Sequence, residues 1–142
     1  MKLVPNAVAD VVPINAGAKK FTEILKLKTT SVDNYIPTEE LLKRIQQNDI
    51  NIYPTFTENA PMFPLESFEM GVPCLLGNNN DYFCGTKLGD YVILTKEDDP
   101  LYIKEKIIEC IDNKDEIMDL YKQWKKEFNK KCNKLVNEFV KI

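Results

Sequence analysis

Short apolar runs alternate with stretches of three- and four-residue apolar spacing over the first hundred residues, and one long helical stripe follows them. Ile50, Ile52 and Tyr53 with Pro54 read as a buried strand, as do Cys74 to Leu76, and Tyr91 to Leu94 reads as a last strand. Asp10 to Ile14 and Thr29 to Val32 are two earlier short strands, with Pro13 arguing against a central position for the first. Ala18 to Leu27 is helical. Thr38 to Gln47 is predicted as a helix capped by Thr38, with Glu39 and Glu40 in the first turn where the helix dipole favours them. Gly77 to Gly89 reads as a loop, in which Asn78, Asn79, Asn80 and Asp81 form a turn satisfied by short side chains. Asp99-Pro100 opens a helix with Ile103, Ile107 and Ile111 at helical spacing. Alternation of this kind predicts an α/β fold.

From Lys114 onward, Ile117, Tyr121, Trp124, Phe128, Cys132, Leu135 and Phe139 recur at three- and four-residue steps. They predict one long amphipathic helix or two successive ones, one face packed on the sheet and the lysines solvated. Any part of the stripe that lacks cover would invite a homodimer, a partner domain or contact with a membrane surface.

Composition narrows the function classes. A net charge of −3 and a pI near 5.1 give no broad basic field, so nucleic acid is not an expected partner. Neither a signal peptide nor an apolar run long enough to span a bilayer is legible, which makes cytoplasmic the default location. Cys74, Cys84, Cys110 and Cys132 match no metal or redox spacing and read as reduced thiols. The absence of histidine removes Ser-His-Asp and Cys-His catalysis and imidazole metal sites from this chain. At 142 residues the expectation is a single domain.

Residues 52 to 76 carry the most specific chemistry. Glu58 and Glu66 stand eight positions apart across a strand-to-helix turn, and Gly71-Val72-Pro73 closes the helix. The strand places Glu58 at its carboxyl end, the side on which ligands bind in open α/β sheets. Pro64 falls in the first helical turn, and the N–H groups of Met62 and Phe63 are candidates to face an anion. A carboxylate accepts two hydrogen bonds from a vicinal diol, so one glutamate on a sugar and one on a ribose would grip both ends of a nucleotide sugar.

This turn resembles the Glu-x7-Glu signature of retaining GT-B glycosyltransferases of family 4, with Glu66-Ser-Phe-Glu-Met-Gly-Val-Pro73 matching the family's E-A-M-A-x-G-x-P run in spacing. The resemblance implies a Rossmann-like parallel sheet flanked by helices, with one or two long helices at the C-terminal end. It assigns donor-sugar contacts to Glu58 and ribose contacts to Glu66, with Ala60, Met62 and Phe63 completing the donor site. Tyr35-Ile36-Pro37-Thr38-Glu39-Glu40-Leu41 looks like the family's loop beside the nucleotide base, which gives Tyr35 and Ile36 that role. No metal or other cofactor is implied, and the nucleotide sugar enters as substrate.

The chain also departs from the family. Glu58-Asn59-Ala60-Pro61 stands where E-G-F-G is usual, and Pro61 removes a backbone donor. The arginine and lysine that neutralise the diphosphate have no counterpart: Lys19 and Lys20 fall on a later helix, and Arg44, the only arginine, follows the base loop. The 1–142 segment is thus expected to be one GT-B C-terminal-type domain without its first strand–helix unit and without the acceptor domain. Three readings stay open: a donor-binding half inactive in isolation, a subunit of a split glycosyltransferase completed by a partner chain, and a non-catalytic interaction module on a relic fold.

Overall fold

Cys74, Leu75, Leu76 and Gly77 are all buried, as a strand flanked on both sides must be, and the rest of the chain is organised around them. The computed structural model describes residues 3–12, 14–55 and 60–140. In chain order the elements are β1 (Ala9–Val11), α1 (Ala16–Ile24), β2 (Thr29–Ser31), α2 (Thr38–Gln46), β3 (Asn51–Tyr53), α3 (Met62–Glu69), β4 (Cys74–Gly77), α4 (Lys87–Val92), β5 (Ile93–Leu94), α5 (Pro100–Asp112) and α6 (Lys114–Val140). The fold is α/β with two small parallel sheets. One has the order β3-β4-β5, with Ile52 opposite Leu75 and Leu76 opposite Ile93; the other is the pair β1-β2.

The expected single sheet is therefore corrected to two. The strands of the first pair are three residues long and half-exposed, and no ladder joins them to β3 among the described residues. Side chains make the connection instead. Arg44 of α2 forks onto Asp10 of β1, its Nε 3.0 Å from Oδ2 and its terminal nitrogen bonded to Oδ1, and Thr30 of β2 donates to the same carboxylate at 3.0 Å.

Apolar side chains from β4, α3, α4, α5 and the first half of α6 form the core. Phe68 stacks on Tyr121 with ring centroids 4.6 Å apart and meets Phe83 edge-on at 5.5 Å; Trp124 contacts Phe83 at 4.7 Å and stacks on Phe128 at 4.7 Å. Cys74 and Cys110 are buried in this core, and burial pushes both thiols up, Cys110 to about 12.

Three expected elements shift. Thr38 is not the cap of α2: it is already helical, and the Pro37 carbonyl receives the Glu40 and Leu41 N–H groups at 3.0 Å. The expected strand from Tyr91 is only Ile93–Leu94, because α4 occupies Lys87–Val92. Thr86 caps that helix by accepting from the Gly89 N–H at 3.0 Å, so Gly89 lies inside a helix rather than at a loop's end. The helix expected from Ala18 begins at Ala16, because Asn15 accepts from the Ala18 N–H at 2.8 Å and sets the start. The stripe after Lys114 is one continuous helix. No helix among the described residues is long and apolar enough to cross a membrane.

Candidate functional site

The unit β3–α3–β4 positions the candidate residues. Pro61 stands at the N-cap with extended backbone, Met62 and Phe63 are the first two helical residues, and the Pro61 side chain makes no capping bond to them. Pro64 is buried in the same turn, where its missing N–H leaves no helical bond unmade. At the other end Gly71 adopts φ +81°, its N–H bonds to the Phe68 carbonyl at 3.0 Å, and the Val72 N–H bonds to the Ser67 carbonyl at 3.0 Å. This is the Schellman closure that Gly-x-Pro predicts.

A buried polar relay fixes how α3 is rotated. Asn51 of β3 donates to Ser67 Oγ at 2.8 Å, Ser67 donates to the Val72 carbonyl at 2.7 Å, and Asn48 donates to Asn51 Oδ1 at 2.8 Å. With Ser67 and Phe68 turned inward, Glu66 is half-buried and its carboxylate has no hydrogen-bond or ion-pair partner among the described residues. Glu69 is different. Its two oxygens accept from Tyr121 Oη and Lys125 Nζ, each at 2.6 Å, clamping α3 to α6. Nothing in the sequence pairs residues 52 and 56 positions apart, so this structural carboxylate was not legible beforehand.

The Glu69 clamp has a pH signature. The Lys125 ammonium, then the Tyr121 hydroxyl, hold the carboxyl below its usual value near 4.5, outweighing partial burial. A carboxylate depressed in the folded state adds stability above its unfolded pKa, and that stability disappears as pH falls through the lower folded value. The difference in unfolding free energy between wild type and Glu69→Gln should therefore be constant near neutrality and shrink below pH about 4. Urea titrations at several pH values measure it, and a difference that did not change with pH would exclude the clamp.

Of the other expected site residues, Ala60 is exposed, Met62 is 60% exposed, and Phe63 is half-buried against Tyr53 with ring centroids 5.4 Å apart. Ala60, Met62, Phe63 and Glu66 thus share one turn and helix start. Glu58 lies outside the described residues. Tyr35 projects from the β2–α2 loop at 90% exposure and Ile36 beside it is half-buried; no bond or ring contact ties Tyr35 to α3 among the described residues.

The carboxyl ends of β3, β4 and β5 are tied to one another. Asn79 donates to Thr55 Oγ1 at 3.1 Å and also to the Thr55 carbonyl, while the Asn78 N–H bonds to Glu97 at 2.8 Å. Gly77 is required at this junction, since a Cβ there would sit 2.4 Å from both the Thr55 carbonyl and Glu97. Asn80 satisfies the turn itself, accepting from the Tyr82 N–H at 3.2 Å. The turn-forming role of the asparagines was legible; the clasp onto Thr55 and Glu97 was not.

No family model, curated protein or solved structure matches the chain. The site is therefore read from its own chemistry. Two of the three candidate cations are committed elsewhere: Arg44, with its charge favoured by the bond to Asp10, is paired, and Lys19 lies 3.4 Å from Asp33. No metal-binding cluster of three or more His, Cys, Asp or Glu side chains occurs among the described residues. An open trough runs along the lysine face of α6, lined by Lys126, Lys130, Lys134, neighbouring asparagines and Glu138, and as the surface of one helix it encloses nothing.

Proposed function

We propose that this chain is the donor-binding half of a retaining glycosyltransferase of the GT-B type, a Rossmann-like domain that holds a nucleotide sugar for an acceptor half on another segment or chain. The observation that carries this reading is the contrast on α3. Glu69 is consumed by two structural bonds, whereas Glu66, one turn earlier and aligned with the signature's ribose-binding position, is half-buried and unpaired among the described residues. The α3 N-terminus, where the Pro61 side chain makes no capping bond, offers the N–H groups of Met62 and Phe63 to a phosphate. Glu58 completes the signature on the donor-sugar side, and Tyr35 and Ile36 are the base-side residues.

The domain's contribution to transfer would be to hold the donor still while the acceptor attacks and the diphosphate leaves. With Arg44 paired to Asp10, the diphosphate would rest on helix N–H groups and water, so affinity in isolation should be weak, near millimolar and about 4 kcal/mol of binding free energy. An NMR titration with UDP, GDP, ADP and their sugars tests this. Saturable shifts around α3 with one nucleotide, abolished in Glu66→Ala, are expected. No shifts at millimolar ligand would reject donor binding by this chain alone. The alternative of a non-catalytic interaction module is favoured by one observation, the exposed apolar end of α6.

A further inference from the structure

Beyond Phe128, which still packs edge-on against Tyr82 with ring centroids 6.5 Å apart, α6 leaves the body of the protein while keeping its apolar stripe. Leu135, Val136, Phe139 and Val140 are 55%, 59%, 78% and 76% exposed, and Phe128 is 37% exposed. Phe128, Cys132, Leu135 and Phe139 fall at spacings of four, three and four, the d-a-d-a pattern of a coiled-coil seam. We propose that this stripe is covered by the same stripe of a second copy, the two helices running antiparallel about a two-fold axis.

Charge and register select this occupant. When two such helices run antiparallel, Phe128 meets Phe139 of the second copy and Cys132 meets its Leu135, so the seam is complementary to itself. The flanking g positions are Lys131 and Glu138. Antiparallel pairing brings Lys131 beside Glu138 of the second copy, and the two-fold axis repeats the pair. Parallel pairing would instead bring Lys131 beside Val136 and form no ion pair. On this register Val140 of the second copy lies level with Glu127, one turn from Trp124, where α6 meets Tyr82 and Phe83.

A lipid surface fits less well. Lys126, Lys130 and Lys134 lie together on the ridge facing away from the stripe, and the stripe's own flanks carry Glu127, Lys131 and Glu138 on one side and Asn129 on the other. The carboxylates of Glu127 and Glu138 at the edge of the stripe oppose attraction to anionic lipid.

Mass measured by light scattering and sedimentation equilibrium over a concentration series tests the pairing, with circular dichroism to verify the fold. The wild type should approach the mass of two chains, and Leu135→Lys should remain one chain at every concentration. Lys131→Glu and Glu138→Lys should each weaken association about three- to tenfold. The double variant Lys131→Glu/Glu138→Lys should restore it. A wild type that stays one chain overturns the proposal, and in that case cosedimentation with phosphatidylserine vesicles would assign the stripe to a lipid surface. A dimer indifferent to Leu135→Lys, or single charge variants not rescued by the double, would equally overturn the antiparallel seam.

Discussion

Replacing Phe68 by alanine should destabilise the protein by about 3–5 kcal/mol, the largest effect expected of any single truncation here. Phe68 is 2% exposed and sits where α3, the loop before α4 and α6 meet, stacked on Tyr121 and edge-on to Phe83. Both neighbours belong to an aromatic network tied into α6, so the vacated space cannot close without moving a helix. Because domains of this size are stable by only about 5–15 kcal/mol, the variant should lie near its folding threshold. Urea or guanidinium unfolding at fixed pH reads the change. A loss under about 1 kcal/mol would mean that the core collapses around the hole and that the contacts described are not the ones that matter.

A second large effect is expected from adding one methyl group. In Gly89→Ala the new Cβ would lie 2.2 Å from the Phe83 carbonyl oxygen and 3.1 Å from an Ile93 side-chain carbon. The first neighbour is backbone and cannot swing aside, so α4 must move away from the chain before it. Overpacking of this kind costs about 1–3 kcal/mol or more, although alanine is intrinsically the better helix former. Gly85→Ala is the matched control. Gly85 has φ +69° and open space around its missing side chain, so only the left-handed backbone penalty applies, on the order of 1 kcal/mol. Thermal unfolding of both variants separates crowding from backbone strain, and equal losses would show that Gly89 is not closely packed.

The parts of this fold legible in the sequence are those fixed by neighbours in the chain. The α3 turn is the clearest case: Pro64, Gly71 and Pro73 each act through their own backbone, so residue type and position determine the outcome. The register of α6 was legible for the same reason, since a three- and four-residue spacing has one geometric meaning. Misplaced features depended on competition between distant or equally suited groups. Tyr91 and Val92 suit a strand, but Thr86 could cap a helix over them, and the Gly89 packing against Phe83 favours the helix. Thr38 is a good cap by type, yet the Pro37 carbonyl occupied that role first. The side-chain tie that joins β1 to α2, Arg44 onto Asp10, spans 34 positions, and no local pattern encodes that choice.

At the candidate site the same line separates what was legible from what was not. The glutamate spacing together with its Gly-x-Pro context and the family resemblance singled out Glu66, and Pro64 marked the Met62–Phe63 helix start; these lie together in the fold. Whether a carboxylate is left available or is consumed depends on what faces it from elsewhere. Glu69 has the same chemistry as Glu66 three residues away, and only Tyr121 and Lys125 distinguish them.

The position of Trp124 gives the molecule a built-in optical reporter. It is the chain's only tryptophan, and its indole bridges the Phe83 contact of the core and the Phe128 contact at the root of the projecting helix. Its emission therefore senses the junction between the two parts of α6 without any label. A shift on dilution at constant circular dichroism would register events along the protruding half, whereas a shift accompanied by loss of helicity would register melting of the core, so one wavelength scan distinguishes separation of copies from unfolding.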